Sequence, residues 1–194
     1  MPLRIDDMKF LPVIGLAAFA CVSPRPCWAW TEQGLIALAR DSVARAVRRQ
    51  APPSTHGGEA SLPVFVTIER GGKVVGCRGV LRPTQSSLER EVAHAARSAA
   101  AHDPRYQPLS PADLKDFRVT VSVVEAQTPL EMSEVDSLAP EDGLVLQSGE
   151  RVGIVLPFEG SNPRTRLGWA WKKAGVAPGS PCRLWRLQAQ RFRG

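Results

Sequence analysis

Residues 63–81 constrain this chain more than any other stretch, because they read as two strands joined by a tight turn. Pro63 to Glu69 alternates apolar and polar positions and is rich in β-branched residues, Arg70-Gly71-Gly72-Lys73 supplies the turn, and Val74 to Leu81 runs back. A hairpin commits the chain to antiparallel pairing. Gly76 and Gly79 on the returning arm favour a bulge or bend beside Cys77, since glycine tolerates backbone angles and close approaches that a Cβ would forbid.

The remaining pattern supplies partners for that hairpin. Leu35, Leu38, Ala39, Val43, Ala46 and Val47 recur at helical spacing between Thr31, a candidate N-cap, and Ala51-Pro52-Pro53, which ends the helix. Ser86-x-x-Glu89 has the form of a capping box and predicts a second, alanine-rich helix over 87–101, stopped at Asp103 by Pro104. Ser110-Pro111 opens a short helix, and Phe117 to Glu125 alternates as a strand. Residues 129–142 read as irregular. A second hairpin turns at Ser148-Gly149-Glu150, a helix runs over 167–174 with Gly175 as its C-cap, and Cys182 to Phe192 forms the last strand. Two hairpins and scattered helices predict an α+β fold, a mainly antiparallel sheet with flanking helices.

The first 29 residues read differently. Lys9 precedes an apolar run, Phe10 to Val22, that contains Gly and Pro and is too short for a membrane-crossing helix. It is expected to be a signal peptide over 1–29, leaving a domain over 30–194 that is periplasmic or secreted, with no transmembrane span after signal removal. Cys21 and Cys27 would leave with the signal, so Cys77 and Cys182 would remain, either bridged or free. The net charge of +6 is concentrated at the end: no acid follows Glu159, whereas Arg164, Arg166, Lys172, Lys173, Arg183, Arg186, Arg191 and Arg193 all do. That basic region would attract an anionic partner or serve as a solvated face, and nucleic acid is disfavoured for an exported chain.

Candidate chemistry gathers in two places. Cys77 could act as a nucleophile, its thiolate favoured by Arg78 or His102, or could be a small packed residue. His102 is a candidate general base. Asp103 and Arg105 could pair with each other, form a structural Asp-Pro turn, or hold a ligand carboxylate through the guanidinium fork. Gly76, Arg78, Gly79, Asp103 and Arg105 are therefore the expected ligand-binding set. Two distant cysteines and three scattered histidines do not have metal-site spacing, and no phosphate loop or dinucleotide fingerprint points to a cofactor.

The ordered set Phe65-Val66-Thr67, Gly76-Cys77-Arg78-Gly79, Ala99-Ala100-Ala101-His102-Asp103-Pro104-Arg105-Tyr106, Val121-Ser122-Val123, Asp142-Gly143-Leu144, Gly153-Ile154-Val155-Leu156-Pro157 and Lys173-Ala174-Gly175 resembles the AMMECR domain family. The resemblance implies a two-lobed α+β fold whose cleft is lined by the Gly-Cys loop and the Asp-Pro-Arg segment. It also implies association with a Memo-type protein, itself similar to extradiol dioxygenases, and with a radical SAM protein. This chain departs from the family's Leu-Arg-Gly-Cys-Ile-Gly by Val75 at the Arg position and Arg78 at the Ile position, and from Leu-Pro-Gln-Val by Phe158-Glu159. Two functions are expected from these residues: a cleft that binds a ligand or partner without chemistry, or a thiol-dependent enzyme acting on an anionic small molecule through Cys77.

Overall fold

The computed structural model describes residues 31–55, 60–160 and 162–194, so the signal-peptide expectation and His56 lie outside the described residues. Six strands form one sheet in the order β2-β1-β3-β6-β4-β5, every neighbouring pair antiparallel, and the sheet curls into a half-barrel. The strands are β1 (Val64–Arg70), β2 (Lys73–Gly79), β3 (Phe117–Leu130), β4 (Gly143–Ser148), β5 (Arg151–Val155) and β6 (Arg183–Arg193). Gly71 and Gly72 both take positive φ, 55° and 76°, as a two-residue turn matched to strand twist demands.

Helices α1 (Glu32–Val47) and α2 (Leu88–Ala101) pack on the convex face of β1, β2 and β3, and α3 (Pro163–Ala174) packs on that of β4 and β5. Alternation along the strands divides the side chains accordingly. Val64, Val66, Ile68, Val119, Val121 and Val123 join the helices in one core, while Leu144, Leu146, Val155 and Leu184 join α3 in a second. Phe65, Val124, Val145, Leu156 and Leu187 form a third cluster within the curl. These two lobes meet along β3 and β6, the longest pairing in the sheet.

Sequence and structure differ at several boundaries. Thr31 does cap α1, its Oγ1 accepting from Gly34 N at 3.0 Å. For α2, however, the cap is Ser87 rather than Ser86, and Arg90 N is its donor. Buried Glu91 takes the loop instead, accepting from Thr84 N and Gln85 N at 2.7 and 2.8 Å, so the sequence box is one residue out of register. Strand β3 continues past Glu125 to Leu130, because β6 is long enough to pair with it after a bulge, and a 3₁₀ turn over Met132–Ser137 replaces part of the expected irregular stretch. Pro129 is tolerated there since β1 pairs only as far as Val123, leaving that side of β3 without a ladder. Helix α3 starts earlier than its apolar spacing suggests, with Asn162 Oδ1 accepting from Thr165 N and Pro163 in the first turn.

Candidate functional site

The alternation that sends Gly76 toward α2 sends Cys77 to the concave face. A Cβ on Gly76 would stand 2.2 Å from the Ala99 carbonyl oxygen, so only glycine lets α2 lie this close to β2. Gly79 is held in the same way, its missing Cβ falling 2.2 Å from Val64 O. Both glycines therefore act in packing, and their neighbour Cys77 is presented to the hollow as a half-buried free thiol.

Strand register builds the floor around it. Cys77 lies opposite Thr67, which lies opposite Thr120, and the adjacent row runs Gly79, Phe65, Ser122, Arg191. A cleft of about 360 Å³ opens over these rows, closed on the far side by the loop Leu156 to Gly160 and by Trp169 and Lys173 of α3. A second hollow of about 390 Å³ adjoins it between β2 and β5, lined by Arg78, Pro104, Val152 and Ile154 and sharing Cys77, Arg105, Leu156, Glu159 and Lys173. The two outer strands of the sheet thus face each other across one continuous hollow.

Asp103 and Arg105 form a clamp on the thiol's backbone. Asp103 is buried, and its Oδ2 accepts from Cys77 N at 2.7 Å and from Arg105 Nη2 at 2.8 Å. Its Oδ1 accepts from Arg105 N and Nε, while Arg105 Nη2 also donates to Cys77 O at 2.9 Å. Tyr106 N donates back to Asp103 O, closing the turn that Pro104 begins. The Asp-Pro turn and the Asp103–Arg105 pair foreseen from sequence are one device, which occupies the outward N–H and C=O of an edge strand. Burial works to raise the Asp103 carboxyl, but hydrogen bonds from the Arg105 side chain and from the backbone of Cys77 and Arg105 outweigh it and hold the group below its ordinary range. Those bonds hold the Arg105 guanidinium firmly charged.

The thiol itself is pushed up. Burial is the largest influence on Cys77, opposed by a hydrogen bond from Thr67 Oγ1 at 3.2 Å and by the charges of Arg105 and Lys173, with Glu159 adding to the rise. The groups expected to activate it, Arg78 and His102, do not bear on it: Arg78 is exposed along the second hollow, and His102 is exposed at the C-cap of α2 outside the lining of both. At neutral pH Cys77 is a protonated thiol. Cys182 is free as well, and burial raises it too.

Several lining residues were not among the expected site residues. Phe158 takes φ 63°, a left-handed conformation uncommon for a side-chain-bearing residue, fixed by its N–H donating to Pro140 O at 2.8 Å. This turns its ring outward, half exposed, with the Arg191 guanidinium 5.3 Å from the ring centre. Glu159 accepts from Leu156 N and from Lys173 Nζ at 2.7 Å, tying the loop to α3. Thr120 Oγ1 is buried with no hydrogen-bond partner among the described residues, on the wall of the cleft that opens over the strand rows. A β-branched strand residue gives no hint of this until its register against β6 is known.

The AMMECR1 family profile matches residues 36–194, from the first helix through the last strand. The chain belongs to the AMMECR1 family. A protein of Methanothermobacter thermautotrophicus is 34% identical over 148 residues, covering 66% of this chain and 73% of that relative. One from Aeropyrum pernix is 34% identical over 176 residues, covering 83% and 75%. The crystal structure of the uncharacterized protein PH0010 from Pyrococcus horikoshii superposes with a TM-score of 0.72 at 25% identity, over 82% of this chain and 89% of that one. The family match includes every element that lines the hollow, so the clamp, the hydroxyl rows and the Phe158 loop all sit within the AMMECR1 domain.

Proposed function

We propose that this AMMECR1 domain is a binding module that takes a small anionic molecule in the hollow between the curled sheet and α3, without covalent chemistry at Cys77. One observation carries this reading: the hollow is open and lined by hydroxyls and by more cations (Arg78, Arg105, Lys173, Arg191) than carboxylates (Glu69, Glu159), while burial pushes the thiol at its centre up and Asp103 and Arg105 lock its backbone. A nucleophile needs the thiolate and a base within reach, and His102 does not line the hollow. Cys77 instead offers a small, polarisable wall that leaves room for a ligand.

Chemical-shift mapping with a set of small carboxylates, phosphates and sulfates tests this directly. Binding predicts that the amides of Cys77, Ser122 and Glu159 move together, and that Cys77→Ser binds as well as the natural chain. Shifts confined to the basic C-terminal surface would sink the reading. Rapid labelling of Cys77 by iodoacetamide at neutral pH would restore the thiol-dependent enzyme in its place.

The same reading keeps the chain periplasmic or secreted, apart from the Memo-type and radical SAM partners that the resemblance implies. Its support is the apolar run Phe10 to Val22 behind Lys9. Cell fractionation decides it, a full-length cytoplasmic product being the contrary result.

A further inference from the structure

Among the described residues, the charges around the cleft that holds Thr120 pair off and leave one group over. Arg105 is paired with Asp103, Lys173 with Glu159, and Glu69 with Arg193, each through a nitrogen–oxygen contact of 2.7 or 2.8 Å. Arg191 lines the same cleft and makes no ion pair among the described residues, resting only over the Phe158 ring. It stands directly across from Ser122 in the β3–β6 register, beside the row that holds Thr120. Thr120 is 2% exposed, and its hydroxyl has no partner among the described residues. A buried hydroxyl without a partner costs free energy, so such a group on a cavity wall marks where a ligand atom or water completes it.

From these features we infer that the cleft selects a single negative charge carried on an apolar or aromatic body, an aromatic carboxylate being the simplest case. The inference rests on the binding reading above and specifies its ligand. Arg191 supplies the guanidinium fork for the carboxylate, while the hydroxyls of Thr120 and Ser122 offer donors from β3. Phe158, Trp169 and Leu156 provide apolar surface for the body, Phe158 and Trp169 being 50% and 44% exposed. A dianion is disfavoured, because Glu69 and Glu159 face the same space and, among the described residues lining this cleft, Arg191 alone is a cation without an ion pair.

The test uses the whole chain with benzoate, its neutral isostere benzamide, and inorganic phosphate, read by tryptophan fluorescence and by amide shifts of β3 and β6. Benzoate is expected to bind at least about tenfold more tightly than benzamide and than phosphate, the size of one charge-assisted contact. Arg191→Gln should erase the preference for benzoate over benzamide, and Thr120→Val, nearly the same shape, should weaken benzoate several-fold with melting behaviour unimpaired. Equal affinity for benzoate and benzamide in the natural chain, or a preference that survives Arg191→Gln, overturns the inference while leaving a binding cleft in place. Tighter binding of phosphate also overturns the selection of one charge. If none of the three probes moves a cleft residue, this inference falls, and the broader reading then stands or falls on the wider anion set.

Discussion

The two ends of the sheet seat their outer strands by the same means and finish them differently. At one end α2 presses on β2 where Gly76 would place a Cβ 2.2 Å from Ala99 O, and at the other α3 presses on β5 where Gly153 would place one 2.0 Å from Ala170 O. In both, a missing side chain brings a helix carbonyl against a strand. Beyond that point the ends diverge. β2 has its outward peptide groups at Cys77 taken by Asp103 and Arg105, whereas β5 runs directly into the Phe158 turn, whose conformation stores strain and whose ring is left in solvent. One wall of the hollow is fixed by ionic hydrogen bonds, and the other is a loop braced by Glu159 and Lys173. On the binding reading proposed above, the first end anchors and the second contacts the ligand.

The largest expected effects probe the shared device. Gly76→Ala and Gly153→Ala should each lose about 3 kcal/mol of stability in urea melts, the upper range for overpacking a close backbone contact. A loss at only one of the two would break the equivalence of the ends. Next comes the clamp: Asp103→Asn removes a buried carboxylate that accepts several hydrogen bonds, and should cost about 2 kcal/mol. It also tests the pH dependence. The folded-state value for Asp103 lies below that of the unfolded chain, so the unfolded state binds more protons in between, and the clamp's contribution is full above an ordinary carboxylate value of about 4 and is lost as pH falls through the lower folded value. Acid melts of Asp103→Asn should lack that loss, and an unchanged acid profile would remove the clamp from the account.

Smaller effects sharpen the assignment of roles. Thr120→Val should leave stability within about 1 kcal/mol of the natural chain, because the hydroxyl has no partner among the described residues to lose, even as ligand binding weakens. Thr67→Val removes the hydrogen bond that favours the thiolate, and should move the pH at which Cys77 alkylates further up. An alkylation profile unaffected by Thr67→Val would mean that burial alone sets the thiol.

What the sequence disclosed follows from how far apart the interacting residues are. The hairpin, the α1 cap, Gly175 and the Asp103-Pro104 stop depend on neighbours within a few positions, and each is found in place. The Gly-Cys segment and the Asp-Pro-Arg segment do meet at the hollow, as their chemistry suggested, though Asp103 serves the backbone there and Gly76 and Gly79 serve packing. Adjacency misled in one respect: His102 and Asp103 are consecutive, but the helix ends between them, leaving the imidazole in solvent and the carboxylate buried. Arg191 is marked in the sequence only as part of a basic region and Phe158 only as a departure from the family pattern; their convergence with Thr120 depends on the bulged β3–β6 register and on a left-handed turn that no glycine announces.

The Asp103–Arg105 clamp has a consequence for how copies of this chain behave toward one another. An open sheet presents two borders that could recruit an extended segment from another molecule and begin an ordered aggregate. At the β2 border an incoming strand would first have to displace a buried carboxylate and its guanidinium, so crowding alone does not convert that side into a template. Self-association by strand recruitment is left to the β5 border, where exposed Arg151 and the net charge of +6 oppose the approach of a second copy.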